Sequence, residues 1–327
     1  MPAKARAFPS ATREKSDGGV PQRKAPKPFL RWAGGKRRLA NTLIETLPAD
    51  FDPSKHKFFE PFVGGGALTF ALGNPEADTF VSGDMLVIND MNPELINTYK
   101  VVRDSVDGLI AELKKYSKKV NTKNYYEIRS IVPEAKVARA ARFIYLNKTC
   151  YNGLWRVNSK GEFNVPFDDS SSSNLFNEDV LRACSARLRG AKITNMSFQE
   201  SVAEAKKGDL VYFDPPYIPL TPTASFAAYA KEGFTQDDHE LLAATILELT
   251  RKGVYVLLSN SDTPLTRKIF REHLILRRLL MRRTMSADGD SRHSVYEILG
   301  MNYKHLQGSA MGRLALVSRP KLKNRTL

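Results

Sequence analysis

The run Asp214-Pro215-Pro216-Tyr217 has the clearest capacity for chemistry in this sequence. It follows an apolar segment, residues 209–213, which predicts a buried strand. The two prolines stiffen the backbone, so we expect the Pro215 carbonyl to point outward beside the Asp214 carboxylate. Two acceptors at a fixed spacing match the two hydrogens of an exocyclic amine on a flipped nucleobase, and Tyr217 offers a stacking face. The alternative is a strand-ending turn with a packed tyrosine.

A glycine-rich turn is the second candidate, Phe59-Glu60-Pro61-Phe62-Val63-Gly64-Gly65-Gly66. Glycines after a strand let backbone amides approach a ligand closely. The turn lacks the Lys and Ser/Thr of the phosphate-binding loop. It also differs from G-x-G-x-x-G, because Phe62 and Val63 fill the turn where a pyrophosphate needs room. The sequence therefore favours a nucleoside ligand without a phosphate chain.

Asp90 follows the second predicted strand, residues 85–89. A carboxylate at this place can accept hydrogen bonds from both ribose hydroxyls. Two alternatives stay open at this point. Asp90 could instead cap a helix that begins near Pro93, and Asp84 competes for the ribose role.

The elements that would position these residues form an open α/β pattern. Five apolar runs predict strands at residues 57–60, 85–89, 209–213, 254–258 and 294–301, and an arginine-rich strand is expected within 277–292. Apolar and polar residues alternate only weakly in these runs, which is typical of strands in a sheet covered on both faces. Charged, helical segments dominate the region from Asn92 to Leu188. We expect a mostly helical module inserted into the sheet domain.

The composition is typical of a globular protein with an excess of basic residues. The 327 residues are 42% hydrophobic and 26% charged, which excludes wholesale disorder, and no apolar stretch reaches the roughly 20 residues of a membrane span. Lys and Arg number 50 against 35 Asp and Glu, a net charge of +15. This excess indicates nucleic acid or, alternatively, a basic solvated surface. Two cysteines and five scattered histidines predict no metal site. Residues 1–27 predict a disordered basic arm on a cytoplasmic protein.

Taken in order, the motifs resemble the Dam-type DNA adenine-N6 methyltransferases of the alpha class. The similarity covers residues 28–303, and the glycine turn precedes the helical region, which precedes the D-P-P-Y run. The segments that carry it are Pro28-Phe29-Leu30-Arg31-Trp32-Ala33-Gly34-Gly35-Lys36, Glu60-Pro61-Phe62-Val63-Gly64-Gly65-Gly66, Asp90-Met91-Asn92-Pro93-Glu94-Leu95-Ile96, Tyr151-Asn152-Gly153-Leu154, Gly161-Glu162-Phe163-Asn164-Val165-Pro166-Phe167 and Asp214-Pro215-Pro216-Tyr217.

The resemblance implies a Rossmann-like methyltransferase sheet with an inserted, mostly helical DNA-recognition module. Residues 28–92 and 189–327 would form the catalytic domain, which binds S-adenosylmethionine. Residues 93–188 would form the target-recognition domain, with a hairpin loop at 147–167. The arm at residues 1–27 would stand outside both domains.

The resemblance also implies S-adenosylmethionine as the methyl donor. The positions matched to its binding are Trp32, Lys36, Phe59, Glu60, Pro61, Phe62, Gly64, Gly66, Asp90 and Asp214. The catalytic positions are Asp214, Pro215, Pro216 and Tyr217. Hydrogen bonds from the adenine amine to Asp214 and to the Pro215 carbonyl would favour a pyramidal nitrogen, and in-line positioning would supply much of the rate. The chain has no Pro-Cys dipeptide, which counts against a cytosine-C5 methyltransferase.

DNA recognition is implied for the loop that starts at Asn147. Its matched positions, with one from the front motif, are Arg31, Lys148, Tyr151, Asn152, Leu154, Arg156 and Pro166. By similarity, Arg156 reads a guanine edge bidentately. Leu154 and Pro166 contact a thymine methyl, while Tyr151 and Asn152 wedge into the duplex. The implied target is the adenine of GATC.

Two positively charged positions complete this implied surface. Arg31 would contact the outer guanine, and Lys148 would contact a phosphate. The alternative for Lys148 and Arg156 is a solvated basic loop.

The predicted function is therefore methyl transfer to adenine N6 in double-stranded DNA, by base flipping. A cytosine-N4 methyltransferase is one alternative, although that class commonly has Ser at the place of Asp214. A non-catalytic DNA-binding regulator on the same fold is another, and intact Lys36, Asp90, Asp214 and Tyr217 argue against it. Double-stranded DNA is the expected partner, with a cognate restriction endonuclease as a further candidate and no membrane or metal. The expected location is a bacterial or phage-infected cytoplasm, at the nucleoid.

Overall fold

The computed structural model describes residues 26–32, 34–73, 81–171, 174–219, 234–281, 295–304 and 314–318. The predicted basic arm lies outside these segments except for its last two residues. Within them, no helix has the length and apolar character that crossing a membrane requires.

An eight-stranded sheet forms the centre of the molecule, in the order β3-β2-β1-β4-β5-β7-β6-β8. The strands are β1 Phe58–Glu60, β2 Leu86–Asn89, β3 Lys192–Thr194, β4 Leu210–Phe213, β5 Tyr255–Ser261, β6 Ile275–Met281, β7 Val295–Met301 and β8 Leu314–Ser318. Strands β1 to β5 pair in parallel, whereas β7 runs antiparallel to both β5 and β6, and β8 runs antiparallel to β6. The predicted α/β class is confirmed.

The central strands alternate between two apolar layers. Phe58 faces a core on one side of the sheet, and its neighbour Phe59 faces a second core on the other side, where Val87 and Val211 also pack. Because both faces are covered, every residue of β1, β2 and β4 is buried. Strands β3 and β8, which lie at the two edges of the sheet, were not predicted from the sequence. The described part of the arginine-rich strand ends at Met281.

Ten α-helices surround the sheet within the described residues. They are α1 Ala40–Glu45, α2 Ala67–Ala71, α3 Pro93–Asp104, α4 Val106–Ser117, α5 Thr122–Ser130, α6 Lys136–Thr149, α7 Glu178–Leu188, α8 Phe198–Ser201, α9 Gln236–Arg251 and α10 Pro264–Phe270. Helices α3 to α7 lie between β2 and β3 in the chain. Asn92 caps α3, since its side chain accepts from the backbone amides of Glu94 and Leu95, and Pro93 stands in the first turn.

The helices between β2 and β3 share the core beneath the sheet. Leu109 of α4 and Phe143 of α6 belong to the same apolar cluster as Phe58 and Leu86. A smaller cluster, which includes Tyr125, lies under the loop that follows α6. The division into catalytic and recognition domains at residues 92/93 and 188/189 stays a prediction.

The chain folds back on itself after α6 and forms a hairpin. Because α6 continues to Thr149, the first three residues of the predicted loop 147–167 belong to the helix. Antiparallel bridges join Cys150 to Phe167 and Val157 to Phe163. Trp155 packs between aromatic rings, 4.2 Å from the ring centroid of Phe143 and 4.6 Å from that of Phe163. The hairpin is thereby anchored on α6.

Candidate active site

A cavity of about 1030 Å³ opens where β1, β2 and β4 end. Ligands of open α/β sheets bind at this carboxyl edge. Eleven of the residues singled out from the sequence line the cavity: Trp32, Lys36, Glu60, Phe62, Gly64, Gly66, Asp90, Asp214, Pro215, Pro216 and Tyr217. The fold thus joins motifs that stand as much as 185 residues apart in the chain, from Trp32 to Tyr217, and the cavity is the candidate site.

Asp214 is held by two donors at one carboxylate oxygen. Ser259, on the neighbouring strand β5, donates its hydroxyl to Asp214 Oδ1 at 2.7 Å. The Tyr212 hydroxyl lies 2.9 Å from Ser259 Oγ and extends this chain into the sheet. The ammonium of Lys36 lies 3.2 Å from the same Oδ1. These contacts fix the direction of the carboxylate at the cavity wall.

Lys36 connects the front motif to the D-P-P-Y run. Its side chain is only 6% exposed, and its ammonium also donates to the Gly34 carbonyl at 2.7 Å. The same ammonium lies 4.4 Å from the centroid of the Tyr217 ring, in cation–π contact. A buried ammonium needs such partners, because desolvation would otherwise be costly. Lys36 therefore orients both Asp214 and Tyr217.

Glu297 contacts the site through Tyr217, and no sequence motif singled it out. It lies on β7, and its Oε2 accepts a hydrogen bond from the Tyr217 hydroxyl at 3.0 Å. Burial raises the pKa of the Glu297 carboxyl, while the Lys36 charge and the Tyr217 hydroxyl oppose that change. A single carboxylate within the mostly apolar segment Val295–Met301 was the available signal.

The glycine turn is closed by contacts that leave no room for larger residues. Gly64 has a φ of +44°, and a Cβ there would lie 2.7 Å from Cδ1 of Trp32. Gly66 has a φ of +70°, and its Cβ would lie 2.6 Å from the Tyr99 hydroxyl. That hydroxyl donates to the Gly64 carbonyl at 2.9 Å. Glycine is required at both positions by backbone conformation and by space.

Asp90 fastens the glycine turn to the end of β2. Its two carboxylate oxygens accept from the backbone amides of Gly64, at 3.1 Å, and of Asn92, at 2.9 Å. Burial raises its pKa, and these amides oppose the change. Since Asn92 caps α3, the capping alternative for Asp90 does not hold. Asp84 is exposed at the opposite end of β2 and does not line the cavity.

Two residues of the predicted cofactor set do not line the cavity. Phe59 packs in the second core, and Pro61 is buried with its carbonyl accepting from Asn89 Nδ2 at 3.1 Å. Side chains from later segments form part of the wall instead. The Phe62 ring lies 5.6 Å from those of Phe198 and Phe234. Further wall residues, to which the sequence assigned no role in the site, include Met91, Ser197, Gln199, Tyr212 and Asp238.

Asn147 joins the front motif to the hairpin. Its side chain accepts from the backbone amide of Arg31 at 2.8 Å and donates to the Arg31 carbonyl at 2.6 Å. It also donates to the Gly153 carbonyl at 3.2 Å. A Cβ on Gly153, whose φ is +64°, would lie 2.5 Å from the Cβ of Arg31. The fold therefore brings Arg31 directly against the predicted recognition loop.

Six of the seven predicted DNA-contacting residues are exposed. Five lie on the hairpin, namely Tyr151, Asn152, Leu154, Arg156 and Pro166, and Arg31 lies beside it in the front motif. The seventh, Lys148, lies on α6. The Arg156 guanidinium donates from Nε to Asn164 Oδ1 at 2.7 Å, which orients the side chain. Lys148 is half-buried, and burial together with the nearby charges of Arg31 and Arg37 lowers its pKa to about 8. An anion beside Lys148 would relieve this repulsion.

A family model for D12 class N6 adenine-specific DNA methyltransferases matches residues 32–284. The match begins at Trp32 and includes the glycine turn, the hairpin and the D-P-P-Y run. The chain belongs to this family. The resemblance stated from the motifs is thereby confirmed, and the protein is an adenine-specific DNA methyltransferase.

Named relatives agree with this assignment. The methyltransferase is 39% identical to the Type II methyltransferase M1.LlaDCHI of Lactococcus lactis subsp. cremoris over 286 residues, which is 85% of this chain and 95% of that protein. It is 38% identical to the Type II methyltransferase M.MjaIII of Methanocaldococcus jannaschii, covering 85% and 99%. It is also 33% identical to the DNA adenine methylase of Escherichia coli strain K12, covering 85% and 96%.

The family implies S-adenosylmethionine as the methyl donor, and the cavity fits such a molecule. The cavity is larger than a nucleoside needs, and the glycine turn borders the cavity with backbone atoms alone. Asp90 supplies a carboxylate, and Trp32, Phe62, Phe198 and Phe234 supply apolar wall.

Glu60 should give the stability of the methyltransferase a distinct pH dependence. The carboxyl is buried, and Oε2 accepts from the backbone amide of Thr69 at 3.0 Å and from its hydroxyl. Burial raises the pKa from its ordinary 4.5 to about 8. The folded protein thus keeps a proton that the unfolded chain loses above pH 4.5. This contribution to stability is complete below that pH and falls by about 1.4 kcal/mol per unit until about pH 8.

The Glu60→Gln variant should lose this part of the pH dependence. Urea unfolding at a series of pH values between 4 and 9 would measure it, as the difference between the two proteins. Glu240→Gln, at an exposed position of α9, is the matched control. Parallel stability curves for the wild type and Glu60→Gln would show that Glu60 is ionised in the folded protein.

Proposed function

We propose that the methyltransferase transfers a methyl group to N6 of the adenine in GATC, in double-stranded DNA, after flipping that adenine into the cavity. The observation that carries this proposal is the arrangement of Asp214 and Tyr217 around Lys36 at the cavity wall. It pairs an acceptor for an exocyclic amine with an aromatic face for the base.

In this proposal S-adenosylmethionine occupies the deeper part of the cavity. When bound, it supplies an electrophilic methyl group on a sulfonium. Asp90 would accept from the ribose hydroxyls, and the turn at Gly64 and Gly66 would border the methionine part. Trp32, which already packs against Gly64, would complete that wall. Glu60 and Phe62 line the same region.

The chemical problem is the weak nucleophilicity of adenine N6, whose lone pair is delocalised into the ring. Hydrogen bonds from N6–H to the Asp214 carboxylate and the Pro215 carbonyl would favour a pyramidal nitrogen. They would also stabilise the positive charge that the nitrogen gains. Ser259 and Lys36 support this by holding the Asp214 carboxylate in place. Asp214 acts here as an acceptor and positioning group, and no covalent enzyme intermediate is required.

Recognition of GATC is assigned to the hairpin. Arg156 would read a guanine edge, with Asn164 holding the guanidinium at Nε so that the Nη groups face the base. Leu154, which is 39% exposed, and Pro166 would contact a thymine methyl. Tyr151, which is 54% exposed, and Asn152 would enter the space left by the flipped adenine. Arg31 would contact the outer guanine, and Lys148 a phosphate.

The proposal also includes a partner enzyme, a cellular location and a division into domains. The names of two relatives as Type II methyltransferases support a cognate restriction endonuclease as a partner in function. DNA as substrate also supports a cytoplasmic location at the nucleoid. Residues 93–188 are proposed to provide the recognition module, and residues 28–92 with 189–327 the catalytic domain.

Sequencing of methylated bases tests the base and the site together. Unmethylated genomic DNA incubated with the protein and S-adenosylmethionine should acquire N6-methyladenine in GATC, on both strands, and should resist an endonuclease blocked by that mark. DNA treated with the Asp214→Ala variant is the control. Methyladenine in a different motif would overturn the proposed site, and methylcytosine would overturn the proposed base.

A further inference from the structure

We propose that Glu297 is a positioning residue for Tyr217, and that it sets the ring face on which the target base stacks. The inference rests on the proposed function of the D-P-P-Y run. Its starting point is the hydrogen bond of 3.0 Å from the Tyr217 hydroxyl to Glu297 Oε2. The two residues are 80 positions apart, so the contact exists only in the folded chain.

Glu297 stands on a rigid part of the sheet. β7 is paired on both sides, and Glu297 lies in register with Ser261 of β5 and Leu279 of β6. Tyr217, by contrast, lies in a loop after β4. A hydrogen bond to a side chain on an interior strand fixes the position of the loop side chain relative to the sheet.

Tyr217 is held from two directions. The Lys36 ammonium lies over the ring at 4.4 Å from its centroid, and Glu297 holds the hydroxyl. Because the ammonium occupies one face, a flipped base stacks on the opposite face. The Glu297 bond holds the hydroxyl, and it therefore keeps the ring from swinging about its Cα–Cβ bond away from the Lys36 ammonium.

The carboxylate is needed for this contact and not for the strand. Pairing of β7 with β5 and β6 uses backbone groups, which any residue at position 297 would supply. A half-buried carboxylate is costly unless it is paired. The charged and titratable groups that face Glu297 are Lys36, Asp214 and Tyr217, of which Lys36 and the Tyr217 hydroxyl stabilise its ionised form. The side chain is therefore explained by the Tyr217 contact.

Three variants test the inference: Glu297→Ala, Glu297→Gln and Tyr217→Phe. Loss of a hydrogen bond to a charged group should lower kcat by about 10- to 100-fold in Glu297→Ala, with KM for DNA within about 2-fold of wild type. Glu297→Gln keeps an oxygen that accepts from the tyrosine hydroxyl, so its kcat should stay within about 3-fold of wild type. Glu248→Ala, at an exposed position of α9, should leave kcat unchanged.

The double variant Tyr217→Phe/Glu297→Ala separates positioning from a general structural effect. Both single changes remove the same hydrogen bond, so the double variant should be no slower than the slower single variant. If the fold-losses in kcat of the two single variants multiply in the double variant, the inference is overturned. It is also overturned if Glu297→Ala keeps the wild-type kcat, or if Glu297→Gln loses as much kcat as Glu297→Ala. Turnover by Asp214→Ala would instead overturn the proposed function of the D-P-P-Y run. An inactive Asp214→Ala with a fully active Glu297→Ala would overturn only the role of Glu297.

Discussion

Replacement of Asp214 by alanine should lower kcat by about 10²- to 10³-fold. This is the usual cost of removing a group that stabilises the charge developing in a transition state. Asp214 is the carboxylate that Lys36 and Ser259 hold at the cavity wall. Without it, the adenine amine would lose the acceptor that favours its pyramidal form. Single-turnover methylation of a GATC duplex with radiolabelled S-adenosylmethionine measures the rate directly.

The matched controls separate chemistry from stability. Asp214→Ala leaves the buried Lys36 ammonium without its carboxylate, so Asp214→Asn is a second variant that keeps an oxygen for Ser259. Asp237→Ala, at an exposed position of α9, should keep the wild-type rate. Binding of GATC duplex should stay within about 3-fold of wild type in all three variants, because Asp214 is proposed to contact only the flipped adenine, whereas the groove and phosphate contacts are assigned to Arg31 and the hairpin. Wild-type turnover by Asp214→Ala would exclude the proposed role of Asp214.

Replacement of Arg156 by alanine should reduce discrimination at one guanine by about 1–3 kcal/mol. Its guanidinium is exposed and oriented by Asn164, which is the arrangement that a bidentate base contact requires. The variant should methylate the correct site more slowly and the substituted sites at nearly unchanged rates. Methylation rates on duplexes with each base pair of GATC substituted in turn would measure this change.

Lys160→Ala is the comparison for Arg156→Ala. Lys160 is exposed on the same hairpin but has no proposed base contact. Its removal should weaken binding to all duplexes alike and reduce the dependence of binding on salt concentration. The same uniform loss in Arg156→Ala would identify Arg156 as a phosphate contact and would remove the proposed guanine contact.

Local sequence was sufficient for the features that depend on neighbouring residues. The apolar runs of β1, β2, β4 and β5 predicted buried strands because a sheet covered on both faces needs apolar residues at every position. The prolines after Asp214 and the glycines after Glu60 also act locally, through the backbone conformations that they allow. These patterns predicted the α/β class and carried the resemblance to the family.

The tertiary structure decided the roles that depend on residues distant in the chain. Sequence left Asp90 between a ribose contact and a helix cap, and the position of Asn92 at the start of α3 resolved the capping question. The contacts of Glu297 with Tyr217, and of Asn147 with Arg31, join segments that no local pattern connects. The edge strands β3 and β8 were missed for the same reason, since strand pairing supplies the hydrogen bonds that define them. Local chemistry thus determined which groups could act, while long-range packing determined which of them meet.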